Sequence, residues 1–353
     1  MVNIRILQTG RAVSLALLFA AAFAFVFSGC GRPTPRGEGG TNKALKTTQE
    51  QASGPVLQEQ LILGFSQIGA ESAWRNCNTR SIREAADEAG IQLLFENAEQ
   101  KQENQIKAIR SFIAYQVDVI AFVPIVSNGW DNVLREAKDA GIPVLVTDRK
   151  IETEDHTLFA GFIGTDSEQE GREAALFLRG AWEKKNAARP MKIVEISGTE
   201  GSSAANGRAR GFREELGDDS GFQIVYTRSG DFLRSKGYEI MRSILESGVA
   251  FDAVFSHNDG MTLGILEAMK EKGLKPGRDN IIVTIDAEQA AIDALVAGEV
   301  NCVIECNPKT GPIIMDLARK LAKGEKIPPL IHVEEAVFKE GDPGLDLLPP
   351  RGY

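Results

Sequence analysis

From residue 61 onward, short apolar runs of strand length alternate with longer stretches of helical period, and this alternation constrains the fold most tightly. The runs are 61–65, 91–95, 119–123, 144–146 and 159–163, then 192–196, 223–226, 253–255, 281–285 and 302–304. Helical periods lie between most of them, as at 72–89, 102–115 and 167–185. Strands alternating with helices of this length form parallel sheets with helices on both faces, an α/β architecture. Ten or more strands are many for one ordinary sheet, so two sheets in two lobes are expected. Gly90 and Gly141 stand where helices end ahead of a strand. Pro143, Pro276 and Pro308 stand at element edges, where a missing N–H is tolerated. Lys323-Gly324 closes the last helical pattern, and the Gly/Pro/Leu-rich stretch from Pro328 onward reads as irregular.

In open α/β sheets, ligands sit outside the carboxyl ends of the strands. Here those ends carry Trp74 and Arg75 after the first run, Trp130 after the third, and Asp148 with Arg149 after the fourth. In the second half they carry Arg208, Phe232, His257-Asn258-Asp259, Asp286 and Cys306-Asn307. Asp accepts from hydroxyls, Asn accepts and donates, and Arg donates in a fixed fork. With flat aromatic rings beside them, such groups suit a sugar. Each residue also has a plainer reading. Asp148, Asp259 and Asp286 stand where helix N-caps belong. Arg149 fits a surface ion pair, Trp74, Trp130 and Phe232 fit packing, and His257 fits a satisfied strand-end residue. The plainer readings do not explain why both halves carry sugar-type groups at their strand ends.

The chain has 353 residues, 43% of them hydrophobic, enough for one large or two medium domains with a sizeable core. Its net charge of −9 argues against a nucleic-acid partner. Arg5 and Arg11 accompany the apolar run 12–27, which is short for a spanning helix of about 20 residues and fits an export signal. The run ends Phe27-Ser28-Gly29-Cys30, which resembles a bacterial lipobox with Phe27 where Leu is usual. That assigns a signal peptide to 1–29 and lipidation to Cys30; an uncleaved anchor is the alternative. Residues 30–58 read as a flexible tether reaching about 30 Å. Cys77, Cys302 and Cys306 leave at least one thiol free. On one continuous strand the last two would lie about 13 Å apart, beyond disulfide reach. No metal-ligand spacing appears. Gly64-Phe65-Ser66-Gln67-Ile68 lacks the second Gly of a nucleophile elbow. Neither a phosphate loop nor a dinucleotide fingerprint occurs.

Several words carry a family resemblance: Gly64-Phe65-Ser66-Gln67 with Glu71-Ser72-Ala73-Trp74-Arg75, the long stretch 100–112, Asp148-Arg149, 229–237, His257-Asn258-Asp259 and 273–277. On these the chain resembles type I periplasmic sugar-binding proteins of ABC transporters, the ribose- and galactose-binding family. Within that family it is most similar to galactofuranose-binding proteins. The resemblance implies a non-enzymatic, monomeric protein of two lobes, 59–164 plus 307–331 and 165–306 plus 332–353, closing on a monosaccharide without cofactor or metal. The closed form would meet a membrane permease, and a lipid on Cys30 would hold the protein at a bacterial membrane. Carried over, Trp74 and Arg75 face the ring, and Asp148 and Arg149 form a hydrogen-bonding pair. Arg208, Asn258 and Asp286 bind hydroxyls, Phe232 is an opposing apolar face, and Ser66 and Glu71 complete the ligand-binding candidates. Cys306 stands where ribose binders have an amide, and Arg75 where they have an aromatic, both against plain ribose. A sugar-sensing receptor of the same build is the alternative function, and an exported sugar hydrolase a remote one.

Overall fold

The computed structural model describes residues 60–185 and 187–353. The expected signal peptide, Cys30 and tether lie outside these residues. Five strands and four helices open the described chain: β1 (Ile62–Gln67), α1 (Ala73–Ala89), β2 (Gln92–Asn97), α2 (Gln102–Ala114), β3 (Val119–Phe122), α3 (Asp131–Asp139), β4 (Val144–Thr147), β5 (Gly161–Gly164) and α4 (Ser167–Lys185). A second series follows: β6 (Met191–Ser197), α5 (Ser203–Leu216), β7 (Phe222–Ser229), α6 (Arg234–Ser247), β8 (Ala253–Ser256), α7 (Asp259–Glu271), β9 (Ile281–Asp286), α8 (Gln289–Val296) and β10 (Cys302–Glu305). Helix α9 (Gly311–Ala322), β11 (Leu330–His332) and β12 (Val337–Lys339) complete it.

The strands form two six-stranded sheets, ordered β2-β1-β3-β4-β5-β11 and β7-β6-β8-β9-β10-β12. All neighbours are parallel except β10 and β12. Both follow the doubly wound 2-1-3-4-5 order, whose switch point is a preferred ligand crevice. Central strands are buried on both faces and so read as continuous apolar runs. In β6, Ile193 packs with Phe255 and Val283 on one side, while Val194 and Ile196 pack with Val254 and Ile282 on the other. This is the strand period of two.

Helix α9 returns to the first sheet, where Ile314, Leu317 and Leu321 join the core of Leu63, Phe112 and Phe122. The chain therefore passes between the sheets three times, at 165–166, 306–310 and 333–336. The irregular tail expected from the sequence in fact supplies β11 and β12, an edge strand for each sheet. Each is three residues long and only half-buried, Ile331, Val337 and Phe338 packing at the core margins, so its apolar run is too short to announce it. β11 runs through His332, one residue past the expected boundary.

Helices α4 and α5 pack backbone to backbone. A Cβ on Gly171 would stand 2.1 Å from the Arg208 carbonyl oxygen, and one on Gly211 1.9 Å from that of Glu168. No larger residue fits, and this contact buries Glu170 and Arg208 together. Among the described residues, Cys77, Cys302 and Cys306 are free and buried.

Candidate functional site

Ser72 caps α1, its hydroxyl accepting the Arg75 N–H at 3.0 Å, and so sets the first helical turn at the end of β1. That turn carries Trp74 and Arg75. Arg75 Nε donates to Glu71 Oε1 at 2.8 Å, and its Nη1 lies 2.8 Å from Asp148 Oδ2 as an ion pair out of line for a hydrogen bond. Asp148 follows β4 with φ +62°, a backbone turn that swings its carboxylate toward α1. Arg149 donates to the Ile125 carbonyl at 3.1 Å and lies 5.2 Å from the centre of the Phe232 ring.

Across from this wall, Ser202 caps α5, and Arg208 lies further along that helix. Its Nε donates to Glu170 Oε2 at 2.6 Å and its Nη1 to the His257 carbonyl at 2.5 Å, while Nη2 stands 3.8 Å from Asp286. Asn258 caps α7, accepting from Met261 N–H, and its amide donates to the Phe232 carbonyl at 3.4 Å. Trp74 spans the two sheets: its indole N–H donates to the Cys306 carbonyl at 2.5 Å and its backbone N–H to Glu288 at 3.0 Å.

One cavity, with about 330 Å³ of empty space counting the solvent at its mouth, joins these walls. Glu71, Trp74, Arg75, Asp148, Arg149, Arg208, Phe232, Asn258 and Asp286 all line it. Ser66 does not. It is fully buried on β1, and its hydroxyl has no partner among the described residues. Ser72, Ala204 and Cys306 also line the cavity and were not among the candidates. Cys306 was visible only as a departure from a pattern. Ser72 was readable as a helix cap, and Ala204 carries no chemical signal.

The cap reading fails for all three aspartates. Among the described helices, neither Asp148 nor Asp286 caps one; α8 is preceded by Glu288. Asp259 is the first residue of α7, and its carboxylate accepts from Thr284 and from Glu288 N–H. Trp130 is fully buried against Phe122, and His257 is buried with Nε2 3.1 Å from Glu195, so both are structural.

Charge in the cavity is held by ion pairing against burial. Burial alone would weaken the charge on Arg75, but Asp148 and Glu71 together raise its pKa. Burial pushes Glu71 up, yet Arg75 and Arg149 hold it below its usual value. Arg149 is pulled down to about 10, first by burial and then by Arg75. Burial pushes Asp286 well above the carboxylate range, with Arg208 opposing. The Cys306 thiol is pushed far up by burial, so it is no nucleophile.

Three buried atoms here make no hydrogen bond among the described residues: Glu71 Oε2, and Arg75 Nη1 with Asp148 Oδ2, which meet only each other as the ion pair. The unmet Glu71 oxygen costs about 1–3 kcal/mol until satisfied. Together they present an acceptor, a donor and a second acceptor side by side, which adjacent hydroxyls complement. Phe232 supplies an apolar face, held at φ +61° against Gly198. A Cβ on Gly198 would stand 1.8 Å from the Phe232 ring. Gly198→Ala is therefore expected to push the ring into the cavity and weaken ligand binding by about tenfold, the loss of one aromatic contact. Calorimetric titration checks this.

Two doubly wound sheets, three crossings and a polar cavity walled by both define a two-lobed binding protein of the periplasmic type. The chain belongs to the family described as periplasmic binding protein domain, whose model matches residues 63–326. The galactofuranose-binding protein YtfQ of Escherichia coli is 40% identical over 280 residues, 78% of this chain and 86% of that protein. A structure from Mycobacterium smegmatis in complex with β-D-fucofuranose aligns with a TM-score of 0.77 at 46% identity, covering 79% of this chain and 91% of that one. The arabinose-transporter binding protein of Shewanella sp. ANA-3, bound to α- and β-L-arabinofuranose, aligns at 0.76 and 40% identity, covering 81% and 93%. Among the described residues, no helix is long and apolar enough to cross a membrane.

Proposed function

We propose that this protein is the substrate-binding component of an ABC sugar importer, capturing a monosaccharide in furanose form, galactofuranose or a close analogue. The observation that carries this reading is the set of unpartnered polar atoms on Glu71, Arg75 and Asp148 facing Arg208 and Phe232 across one cavity. The relatives named above bind galactofuranose, fucofuranose and arabinofuranose, which share a five-membered ring. The lobes divide at the three crossings, and the sugar bridges them and shifts the population toward the closed form. That form is what a permease engages. The protein acts as a monomer, is exported by its N-terminal signal and is anchored through a lipid on Cys30. It returns its sugar unchanged.

Calorimetric titration with methyl galactofuranoside, L-arabinose and D-ribose tests the reading. Binding of the galactofuranoside, tighter than that of ribose, is the expected result. Absence of binding by either of the first two sugars overturns it. Mass spectrometry of the intact mature protein tests for the acylated Cys30.

A further inference from the structure

We propose that Glu335, in the third crossing between the sheets, is a positioning residue of the cleft that holds Glu170, and through it Arg208, by one shared proton. Glu170 lies in the first turn of α4 and is almost fully buried. Its Oε2 accepts from Arg208, while its Oε1 has no partner among the described residues. Glu335 Oε1 is likewise buried and unpartnered. The ligating atoms of Glu170, Glu335 and Cys306 all lie within 4.8 Å of one another. Ionised carboxylates only accept hydrogen bonds, so two facing oxygens repel and both stay unsatisfied. A single proton between them satisfies both.

The surrounding charges leave room for that proton. Arg208 is one cation facing three carboxyls: Glu170, Glu335 and Asp286. The Cys306 thiol sits in the same cluster with its Thr165 contact at 3.6 Å. His332 and Asp166 pair at 3.3 Å beside the crossing, and the Asp166 backbone opposes the rise of the Glu335 carboxyl. A metal ion among these three groups would sit next to the Arg208 guanidinium and meet like charge. Burial first, and then Glu170, push the Glu335 carboxyl up to about 10, in keeping with a retained proton.

The crossing itself is fixed at both ends. Val333 N–H donates to Gly164 of the first sheet, and Ala336 exchanges hydrogen bonds with Glu305 of the second. Glu335 thus ties a hinge strand to the helix that orients Arg208. As pH rises from neutrality toward about 10, the proton leaves to solvent. The carboxylates then repel, Glu170 shifts, and Arg208 loses the geometry it offers a sugar.

This inference rests on the sugar-site reading only for its binding consequence, so the test has two arms. In the ligand-free native protein at neutral pH, infrared spectroscopy is expected to show a protonated-carboxyl band that Glu335→Gln removes. Absence of such a loss overturns the shared proton, whatever the cavity binds. In the second arm, native affinity for methyl galactofuranoside is expected to fall about twofold from neutral pH to about pH 10, where half the molecules have lost the shared proton. Glu335→Gln, whose amide donates permanently to Glu170, is expected to keep near-native neutral affinity and to show a shallower pH dependence than the native protein, the part that remains belonging to Arg149. Glu335→Ala is expected to weaken affinity about tenfold at neutral pH. Equal losses in the Gln and Ala variants overturn the proposal. So does a profile flattened by His332→Asn, or one-to-one zinc binding that Glu335→Gln abolishes. A native protein that binds no furanose, with the carboxyl band present, refutes the sugar reading and leaves the shared proton standing.

Discussion

Arg208→Met is expected to destabilise the protein by about 3–5 kcal/mol and to abolish sugar binding. Arg208 is buried with its Nε on Glu170, its Nη1 on the His257 carbonyl and its Nη2 near Asp286. Methionine fills much of the same volume but leaves an orphaned carbonyl and two buried acids without their cation. The folded state then answers by retaining protons, which raises those carboxyl pKa values above their unfolded ones. The sign follows from proton counts. Where the folded state binds more protons than the unfolded state, stability falls as pH rises. The added loss is therefore absent below about pH 4, where both states are protonated, and grows toward neutrality. Urea denaturation of native and variant proteins at acid and neutral pH measures it. A pH-independent difference, or none at all, would show that Arg208 is not the counter-ion of this cluster.

The fold was legible because its strands are buried on both sides. The runs 119–123 and 281–285 can be nothing but central strands or buried helix, and their length decides. The two edge strands β11 and β12 escaped because each has only three residues, half-buried at a sheet edge, too few to show a period. In the site, side chains at strand ends were readable by position: Asp148, Arg149, Asn258 and Asp286 each follow an apolar run directly. Residues that act from behind were not. Glu170 stands in a helix with Glu168 and Glu173 nearby and looks like one more solvated acid. Its burial comes from the approach of α5 across Gly171 and Gly211, which is a tertiary event. Glu335 lay in a stretch expected to be irregular. Ser66 shows the limit of reading by words: it is the one ligand-binding candidate that does not line the cavity, its side chain being fully buried on β1.

Trp74 shows a different limit. Its indole was read as a face for a sugar ring, and it does line the cavity. It also packs with Ala174, Leu178 and Phe212 of the second lobe and bonds the Cys306 carbonyl. Removing it would confound ligand contact with contact between the lobes, so a variant at this position cannot isolate binding.

Asp148 permits the cleaner experiment. Its φ of +62° lies in the left-handed region, where an alanine costs about 1–2 kcal/mol but asparagine is tolerated. Asp148→Asn therefore keeps the turn, the side-chain shape and one acceptor oxygen, and removes only the charge. Arg75 retains its hydrogen bond to Glu71, so the fold is expected to survive with little change in melting temperature. Sugar affinity is a separate matter. A hydrogen bond to a charged group contributes about 1.5–3 kcal/mol, and the carboxylate lines the cavity with its Oδ2 held by the Arg75 ion pair and free of any hydrogen bond among the described residues. The expected loss is roughly ten- to a hundred-fold in affinity, read by calorimetry against an unchanged denaturation curve. Most of that loss belongs in the dissociation rate, because affinity differences within one site reside mainly there. Native-like affinity in Asp148→Asn would move the sugar away from the first-lobe wall. Lost affinity with lost stability would instead make Asp148 a structural partner of Arg75.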